Sequence, residues 1–442
     1  MTNYIPIQQA MNQCAEKGSG EVAIRGWVYR ERGSNKFKFL VIRDSSNIIQ
    51  CVVKKENLTS NSENTSEQLW DQVSKLQIEA SVEVVGEIKK DERAPTGYEI
   101  QVKDIKIVGL SDTFPITKDQ STEFLLDKRH LWLRSRNLTS VMKIRSTVFW
   151  AIHKFYRQKG FFEMPPPIFT PNACEGGATL FEVKYYADKV YLTQSWQLYA
   201  EAAIFALENI YCISPCFRAE KSKTSRHLSE FWMAEVECAW ADLHKMSETA
   251  KELVAFIIEE VVKNNENELK LLGQDVEKLK KITLPFPTIT YTEALKILKE
   301  KCNMDVEWGK DLRTIEEDEL MKHFDKPVVV THYPKEIMAF YKEADPKNPK
   351  LTLCFDMLAP EGYGEIVGGS QRDTDLEALK SGLLKEGEKL DNYEWYLDLR
   401  RYGSVPHAGF GLGVERVVAW LCKLDNIKDA IPFPRTMLRK TP

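Results

Sequence analysis

The sequence predicts an α+β chain, with a five-stranded β-barrel first and then a larger domain of antiparallel strands flanked by helices. Three observations carry this expectation. Residues 21–108 hold five strand-like runs with one helical segment between the third and the fourth. Residues 139–159 carry an apolar stripe at spacings of three and four. Residues 212–240 read as two strands around a loop rich in charge.

The five runs, 21–30, 36–43, 48–53, 81–87 and 98–108, are separated by Gly and Asp-Ser turns. A polar linker after the third runs into a short amphipathic helix. That order matches a small Greek-key barrel of the oligonucleotide-binding type. Phe37 and Phe39 alternate with Lys36 and Lys38, beside Arg30, Arg32 and Arg43. Rings among bases suit single-stranded nucleic acid, yet Phe at period two is equally the pattern of a buried strand face. This first domain is expected to span 1–109.

Residues 110–136 lack steady periodicity and read as a hinge, with a catalytic-sized domain over 137–442. Val141, Ile144, Val148, Ile152 and Phe155 form the helical stripe, and Met142, Phe149, Trp150 and Tyr156 widen it. Such a helix is either buried all round or shared with a second subunit. Gly160 stops it, and a strand at 161–164 ends in Pro165-Pro166-Pro167, which cannot continue a central ladder. A helix is expected over 253–262, then a solvated, charged helix pair near 264–281. Residues 285–349 mix helices with one strand, and further strands are expected at 351–357, 365–367 and 395–401.

In the 212–240 hairpin, strand alternation sets Trp232, Ala234, Val236, Cys238 and Trp240 on an apolar face. Phe231, Glu235 and Glu237 share the other face, with Arg218 and Glu220 from the first strand. Taken alone, a charged face of this kind is more often a solvated surface with weak ion pairs. The ring among the charges, with Arg226 and His227 in the loop, suits an anionic, stackable ligand such as a nucleotide. Near the end, Gly409-Phe-Gly-Leu-Gly-Val-Glu-Arg416 lacks the spacing and the later acid of a dinucleotide loop. It reads instead as a strand–turn–helix delivering Arg416 to a phosphate.

Composition sets limits. The 442 residues suffice for two or three domains, and 43% hydrophobic with 29% charged residues is ordinary for a globular chain. A net charge of −4 gives no global basic field, so any nucleic acid must be met by a local patch. Nine scattered cysteines include no CxxC pair, Cys212 and Cys216 have poor zinc spacing, and the odd count suggests reduced, buried thiols. No secretory pattern or spanning apolar run is present, so a soluble cytoplasmic protein is expected.

Three pieces now stand in order: the helix and strand ending at Pro167, the hairpin with Phe217-Arg218-Ala219-Glu220, and GFGLGVER. Together they resemble the three signature motifs of class II aminoacyl-tRNA synthetases. The barrel, with Gly26-Trp-Val28 and Phe39-Leu-Val-Ile-Arg-Asp44, is similar to the anticodon-binding domain of the subclass serving aspartate, asparagine and lysine. The likeness covers nearly the whole chain outside 59–75 and 264–281. It implies an antiparallel catalytic sheet of the class II kind, ATP as substrate, Mg²⁺ and a homodimer joined through the first motif.

By that resemblance Arg218 holds the α-phosphate, Glu220 lies on the adenine side and Phe231 stacks on the ring. Arg226 and His227 reach the outer phosphates, Arg416 clamps the γ-phosphate, and Asp356 and Glu365 are the metal-binding acids. Glu175 and Gln197 match contacts to the substrate ammonium group. Arg32, Phe39 and Gln50 match residues that face the anticodon.

The amino acid is expected to be asparagine. Aspartate-specific relatives read SPQLYKQ, whereas this chain reads Ser195-Trp-Gln-Leu-Tyr-Ala-Glu201, which puts Ala200 where they hold a lysine. They also tend to carry Asp at the place of Glu235. Losing a cation beside a carboxylate disfavours an aspartate side chain. An amide can donate to Glu235 and accept from Arg372. The cognate partner is then expected to be tRNA(Asn). Two departures from the family pattern stand out: Trp196 in place of proline or a small residue, and Gly368 in place of a serine that helps bind metal.

Overall fold

Ile7, Ala10, Met11 and Cys14 fall three and four apart and are all buried, which makes the first helix, α1 (Ile7–Lys17). It opens a computed structural model that describes residues 2–58, 65–175, 179–221 and 226–442. The chain forms two units, Met1–Lys128 and Arg129–Pro442.

In the first unit β1 (Ser19–Gly33), β2 (Phe37–Arg43), β3 (Ile48–Lys54), α2 (Ser66–Ser74), β4 (Ser81–Lys90) and β5 (Tyr98–Gly109) follow in order. The strands close a barrel in the order β1-β2-β3-β5-β4, with β3 and β5 parallel and the other pairs antiparallel. The helix between β3 and β4 starts on a capping box, Thr65 with Gln68. Part of the expected linker, 59–64, lies outside the described residues. Val22, Ile24, Val28, Leu40 and Ile42 fill the interior. Phe37 and Phe39 do not join it: Phe37 is 39% exposed, and the inward position between them is taken by Lys38. Its stem is buried while its Nζ reaches the Leu76 carbonyl at 3.3 Å and Glu31 at 3.0 Å.

The stretch read as a hinge carries two short helices, α3 (Thr122–Asp127) and α4 (Arg129–Trp132). Arg129 is 1% exposed, and its guanidinium bonds Asp429 and the carbonyls of Lys428, Ile431 and Pro432. The second unit continues with α5 (Arg136–Gln158), β6 (Phe162–Glu163), β7 (Phe169–Thr170), β8 (Glu182–Tyr185), β9 (Asp188–Leu192) and α6 (Gln197–Leu207). The hairpin follows as β10 (Asn209–Phe217) and β11 (Glu230–Ala239). Then come α7 (Leu243–Leu271), α8 (Val276–Lys280), β12 (Thr288–Thr290), α9 (Tyr291–Cys302), α10 (Thr314–Met321) and β13 (Val328–Thr331). Beyond them lie β14 (Ala344–Asp345), β15 (Asn348–Thr352), β16 (Cys354–Ala359), β17 (Gly364–Gln371), α11 (Leu376–Lys385), α12 (Glu394–Arg401), β18 (His407–Gly413) and α13 (Val414–Leu421).

Eight strands make the central sheet, in the order β12-β13-β16-β17-β18-β11-β10-β6. The six central strands are antiparallel, and each edge carries one short parallel strand. Helices α5, α7 and α13 cover one face. The stripe Val141, Ile144, Val148, Ile152 and Phe155 packs there with Ala234, Val236 and Cys238. Each such fully buried side chain contributes about 1.5–3 kcal/mol. The other face of the sheet is left for chemistry.

Three expectations need correction. Residues 395–401 are helix α12, not strand: Tyr393, Tyr396, Leu397 and Arg400 are all buried at spacings of three and four. Their aromatic, strand-forming composition concealed a helical period. Trp240 leaves the apolar face, because β11 ends at Ala239 and Trp240 turns out at φ 56°, 65% exposed. The 253–262 helix begins ten residues earlier, and the charged stretch after it is not merely solvated. Leu269, Val276 and Leu279 are core residues there.

Candidate active site

Two adjoining cavities of about 290 Å³ each open on the uncovered face of the central sheet. Arg218, Met233, Glu365 and Gly411 line both. β11 supplies the floor, because its alternation sends Phe231, Met233, Glu235 and Glu237 away from the helices. β18 must lie close against it. A Cβ on Gly409 would come within 2.0 Å of Glu237 Oε2 and 2.3 Å of the Val236 carbonyl oxygen, so only glycine fits. The next residues start α13 at once, which delivers Arg416 into the first cavity.

The first cavity gathers Arg218, Glu220, Arg226, His227, Phe231 and Arg416. The Arg218 guanidinium lies 5.4 Å from the Phe231 ring, and its buried Nε has no hydrogen-bond partner among the described residues. Burial opposes its charge, but Glu175, Glu220 and Glu365 hold the Arg218 pKa above the ordinary value. Arg416 donates to the Glu365 carbonyl at 2.7 Å and pairs its carboxylate at 3.2 Å. Arg226 is held by Asp318 at 2.8 Å and by the Gly362 carbonyl, with Glu317 at 3.8 Å. His227 lies 3.6 Å from Glu220, and burial pushes its pKa down, so it stays neutral near pH 7. The loop residues 222–225 between the strands lie outside the described set.

Asp356 on β16 and Glu365 on β17 converge over Gly368, which pairs with Asp356 across the two strands. A Cβ there would meet Glu365 Oε1 at 2.8 Å and Asp356 Oδ1 at 3.4 Å, so glycine keeps the cradle open where serine would fill it. Burial and then Glu365 push Asp356 up to about 8. Burial acts on Glu365 too, but Arg416 and Arg218 hold it below the ordinary value. Two converging carboxylates are a donor set that fits a hard divalent cation. Among the described residues no cluster of three or more His, Cys, Asp or Glu forms a metal cage. Mg²⁺ does not need one, since it is usually bound by one or two carboxylates plus phosphates and water.

The second cavity holds Glu175, Gln197, Glu235 and Arg372 together, all four anticipated from the sequence. Glu235 is 5% exposed; it accepts from the Ser195 hydroxyl and from the Trp196 N–H, at 3.2 and 3.0 Å to its two oxygens. Proline at position 196 would have no N–H to give. Burial pushes Glu235 above the usual carboxylate range, against these two donors. Glu175 accepts from Tyr341 at 2.8 Å. Gln197 donates to Glu201 at 2.9 Å. Glu201 is wholly buried, ion-paired to Arg400 at 2.6 Å and hydrogen-bonded to His407 at 3.1 Å. Ala200 does not line the cavity; it packs with the Trp196 indole, Ile204 and Cys212 in a small apolar cluster.

Sequence reasoning missed several residues here. Glu237 clamps Arg372 through two bonds, 3.0 and 2.8 Å, and Ser370 takes a third at 2.9 Å. Glu237 shares the face of Glu235 at period two, and that signal was available. Ser195 lines the cavity from the segment already singled out at 195–201, whereas Tyr341, Lys342 and Asp311 line it without any local pattern to mark them.

In the barrel, the three residues expected at the anticodon stand side by side. The Arg32 guanidinium sits 4.9 Å from the Phe39 ring, and Arg32 Nη2 lies 3.5 Å from Gln50 Oε1. Gln50 in turn donates to Glu99 at 3.1 Å. Phe37 packs edge-on to Phe39 at 5.4 Å. All nine cysteines are free, and eight are buried.

Comparison with known proteins agrees with this geometry. The profile of class II tRNA synthetases (D, K and N) matches residues 121–437, and that of the OB-fold nucleic acid binding domain matches 22–108. The chain is 47% identical to asparagine–tRNA ligase of Thermoplasma acidophilum and 48% identical to that of Thermococcus kodakarensis, over 96% of each chain. The crystal structure of asparaginyl-tRNA synthetase from Pyrococcus horikoshii complexed with asparaginyl-adenylate superposes with a TM-score of 0.94, at 45% identity over all of both chains. The chain belongs to the class II tRNA synthetases and, within them, to the asparagine–tRNA ligases.

Proposed function

We propose that the protein activates L-asparagine with ATP to asparaginyl-adenylate and passes the acyl group to the 3′-terminal ribose of tRNA(Asn). The observation that carries this reading is the pair of cavities sharing Arg218. One is walled by a ring and guanidinium groups, the other by Glu235 and an arginine already clamped in place. A nucleotide suits the first and a small zwitterion with an amide suits the second.

The chemistry follows from the charges. The asparagine carboxylate is already a nucleophile, so no general base is needed. Glu175 and Gln197 hold the ammonium group, and Glu235 and Arg372 read the side-chain amide. Arg218 takes the α-phosphate, so that a carboxylate oxygen faces phosphorus in line with the departing pyrophosphate. Glu220 and Phe231 hold the adenine, while Arg226, His227 and Arg416 address the outer phosphates. Asp356 and Glu365 would hold Mg²⁺, which when bound neutralises phosphate charge. The ribose hydroxyl then attacks the adenylate carbonyl and AMP leaves. An aspartate side chain would set a second carboxylate against buried Glu235, and that repulsion excludes it.

In the barrel, Arg32, Phe39 and Gln50 would receive the anticodon by stacking and edge contacts. A homodimer through α5 is supported by its exposed Trp150 beside partly buried Met142 and Phe149. A cytoplasmic setting fits the buried free thiols, and among the described residues no helix is long and apolar enough to cross a membrane. Charging of tRNA(Asn) with labelled asparagine tests the whole reading. Esterified asparagine with Mg²⁺ present, lost on chelation, is the expected result; charging with aspartate instead would refute it.

A further inference from the structure

The segment Tyr341–Glu343 has no role in the scheme above, yet it enters the second cavity. Its backbone is fixed as a short added strand. Lys342 bridges antiparallel to Arg372, Glu343 N–H donates to the Gln371 carbonyl at 3.2 Å, and Asp373 N–H donates to the Tyr341 carbonyl at 2.8 Å. Tyr341 then reaches Glu175, and Lys342 lines the same cavity.

The Lys342 ammonium is partly buried, and among the described residues its one hydrogen-bond partner is a thioether, Met338 Sδ at 3.2 Å. Among the described residues no carboxylate lies within ion-pair distance of it. A half-buried ammonium with so weak a partner is costly to keep unless something anionic completes it. Burial works against its charge, but Cys354, Asp356, Glu175 and Glu365 hold its pKa above the ordinary lysine value, so it is a full cation at neutral pH.

The other cations are accounted for. Arg372 gives three of its N–H groups to Glu237 and Ser370. Arg218 lines both cavities and so stands at their junction, whereas Lys342 lines only the amino-acid side. The one anionic group that a bound amino acid brings is its α-carboxylate.

We infer that Lys342 is a catalytic residue of amino-acid activation, its ammonium contacting the α-carboxylate and holding one oxygen while the other faces the α-phosphorus. This rests on the reading of the second cavity as the amino-acid site. Lys342 offers a compact point charge, which an amino alcohol lacking the carboxylate would not use.

The test compares wild type with Lys342→Met and Lys342→Arg in asparagine-dependent ATP–pyrophosphate exchange, with Mg²⁺ varied. It also measures inhibition by asparaginol, in which the carboxylate is replaced by a hydroxymethyl group. Lys342→Met should lose about 10²–10³-fold in kcat/KM for asparagine, with ATP KM and melting temperature kept. Lys342→Arg should recover part of the loss, and asparaginol should inhibit all three proteins equally. If Lys342→Met does not fold, Lys342→Gln is read by the same criteria. Three results would overturn the inference: exchange within about threefold of wild type, asparaginol inhibition weakened as much as asparagine use, or a change only in the Mg²⁺ needed. The last would make Lys342 a counter-charge for Asp356 and Glu365. Absence of asparagine exchange in wild type would instead overturn the amino-acid site itself.

Discussion

The barrel and the catalytic unit both gather arginines and rings, but they do so in opposite ways. In the barrel, Arg32, Phe39 and Gln50 sit on adjacent strands with Phe37 39% exposed, and each charge has a neighbour. Gln50 is 4% exposed, so the open part of this patch is Arg32 and the Phe37 ring. In the catalytic unit, the groups come from strands, loops and a helix far apart in sequence and are mostly buried. There, an arginine lining both cavities, Arg218, coexists with a clamped one, Arg372. A preorganised interior costs no rearrangement at the moment of reaction. The first region is built to read, and the second to react.

The sharpest break in that comparison should come from Glu237→Ala. It leaves Arg372 buried without its partner, and about 3–5 kcal/mol of stability should be lost, seen as a lower denaturant midpoint together with lost exchange. An unchanged midpoint would mean that Arg372 finds another counter-charge. Next comes Arg218→Ala, which should cost about 10²–10³-fold in pyrophosphate exchange with the melting temperature preserved; retained exchange would remove the hairpin from the chemistry. Ser195→Ala takes a donor from buried Glu235 and should erode the preference for asparagine over aspartate by about 1–3 kcal/mol, read as the ratio of the two exchange rates. The smallest effect belongs to the barrel. Phe39→Ala should weaken tRNA charging by about 1–3 kcal/mol in kcat/KM and leave exchange untouched. A fall in exchange would blur the division between reading and reacting.

What the sequence revealed follows the same division. Strand alternation is local, so the five barrel strands and the two faces of β11 were legible, whereas the trio Arg32, Phe39 and Gln50 came from family resemblance alone. The glycine-rich turn was legible because close strand packing and a helix start demand small residues there. The rest was not local. Residues 395–401 set two aromatic rings beside leucines with no clear period, and only tertiary burial of Tyr396, Leu397 and Arg400 decides for a helix. The helix α1 has the spacing of Ile7, Ala10, Met11 and Cys14, but its one narrow stripe sits among polar residues and only burial against the barrel marks it. The clamp of Arg372 by Glu237 spans two non-consecutive strands, and the entry of Tyr341 and Lys342 depends on a bridge to residue 372. Ala200 shows the converse. Its family position pointed to the amino-acid pocket, but the Trp196 indole beside it makes the site apolar packing.

The central claim is that the second cavity selects an amide over a carboxylate. ATP–pyrophosphate exchange with purified protein, run in parallel with asparagine and aspartate, tests it most directly. Exchange with asparagine and none above background with aspartate is the predicted result. Comparable exchange with aspartate would contradict the role given to Glu235 and Arg372, whatever the fold.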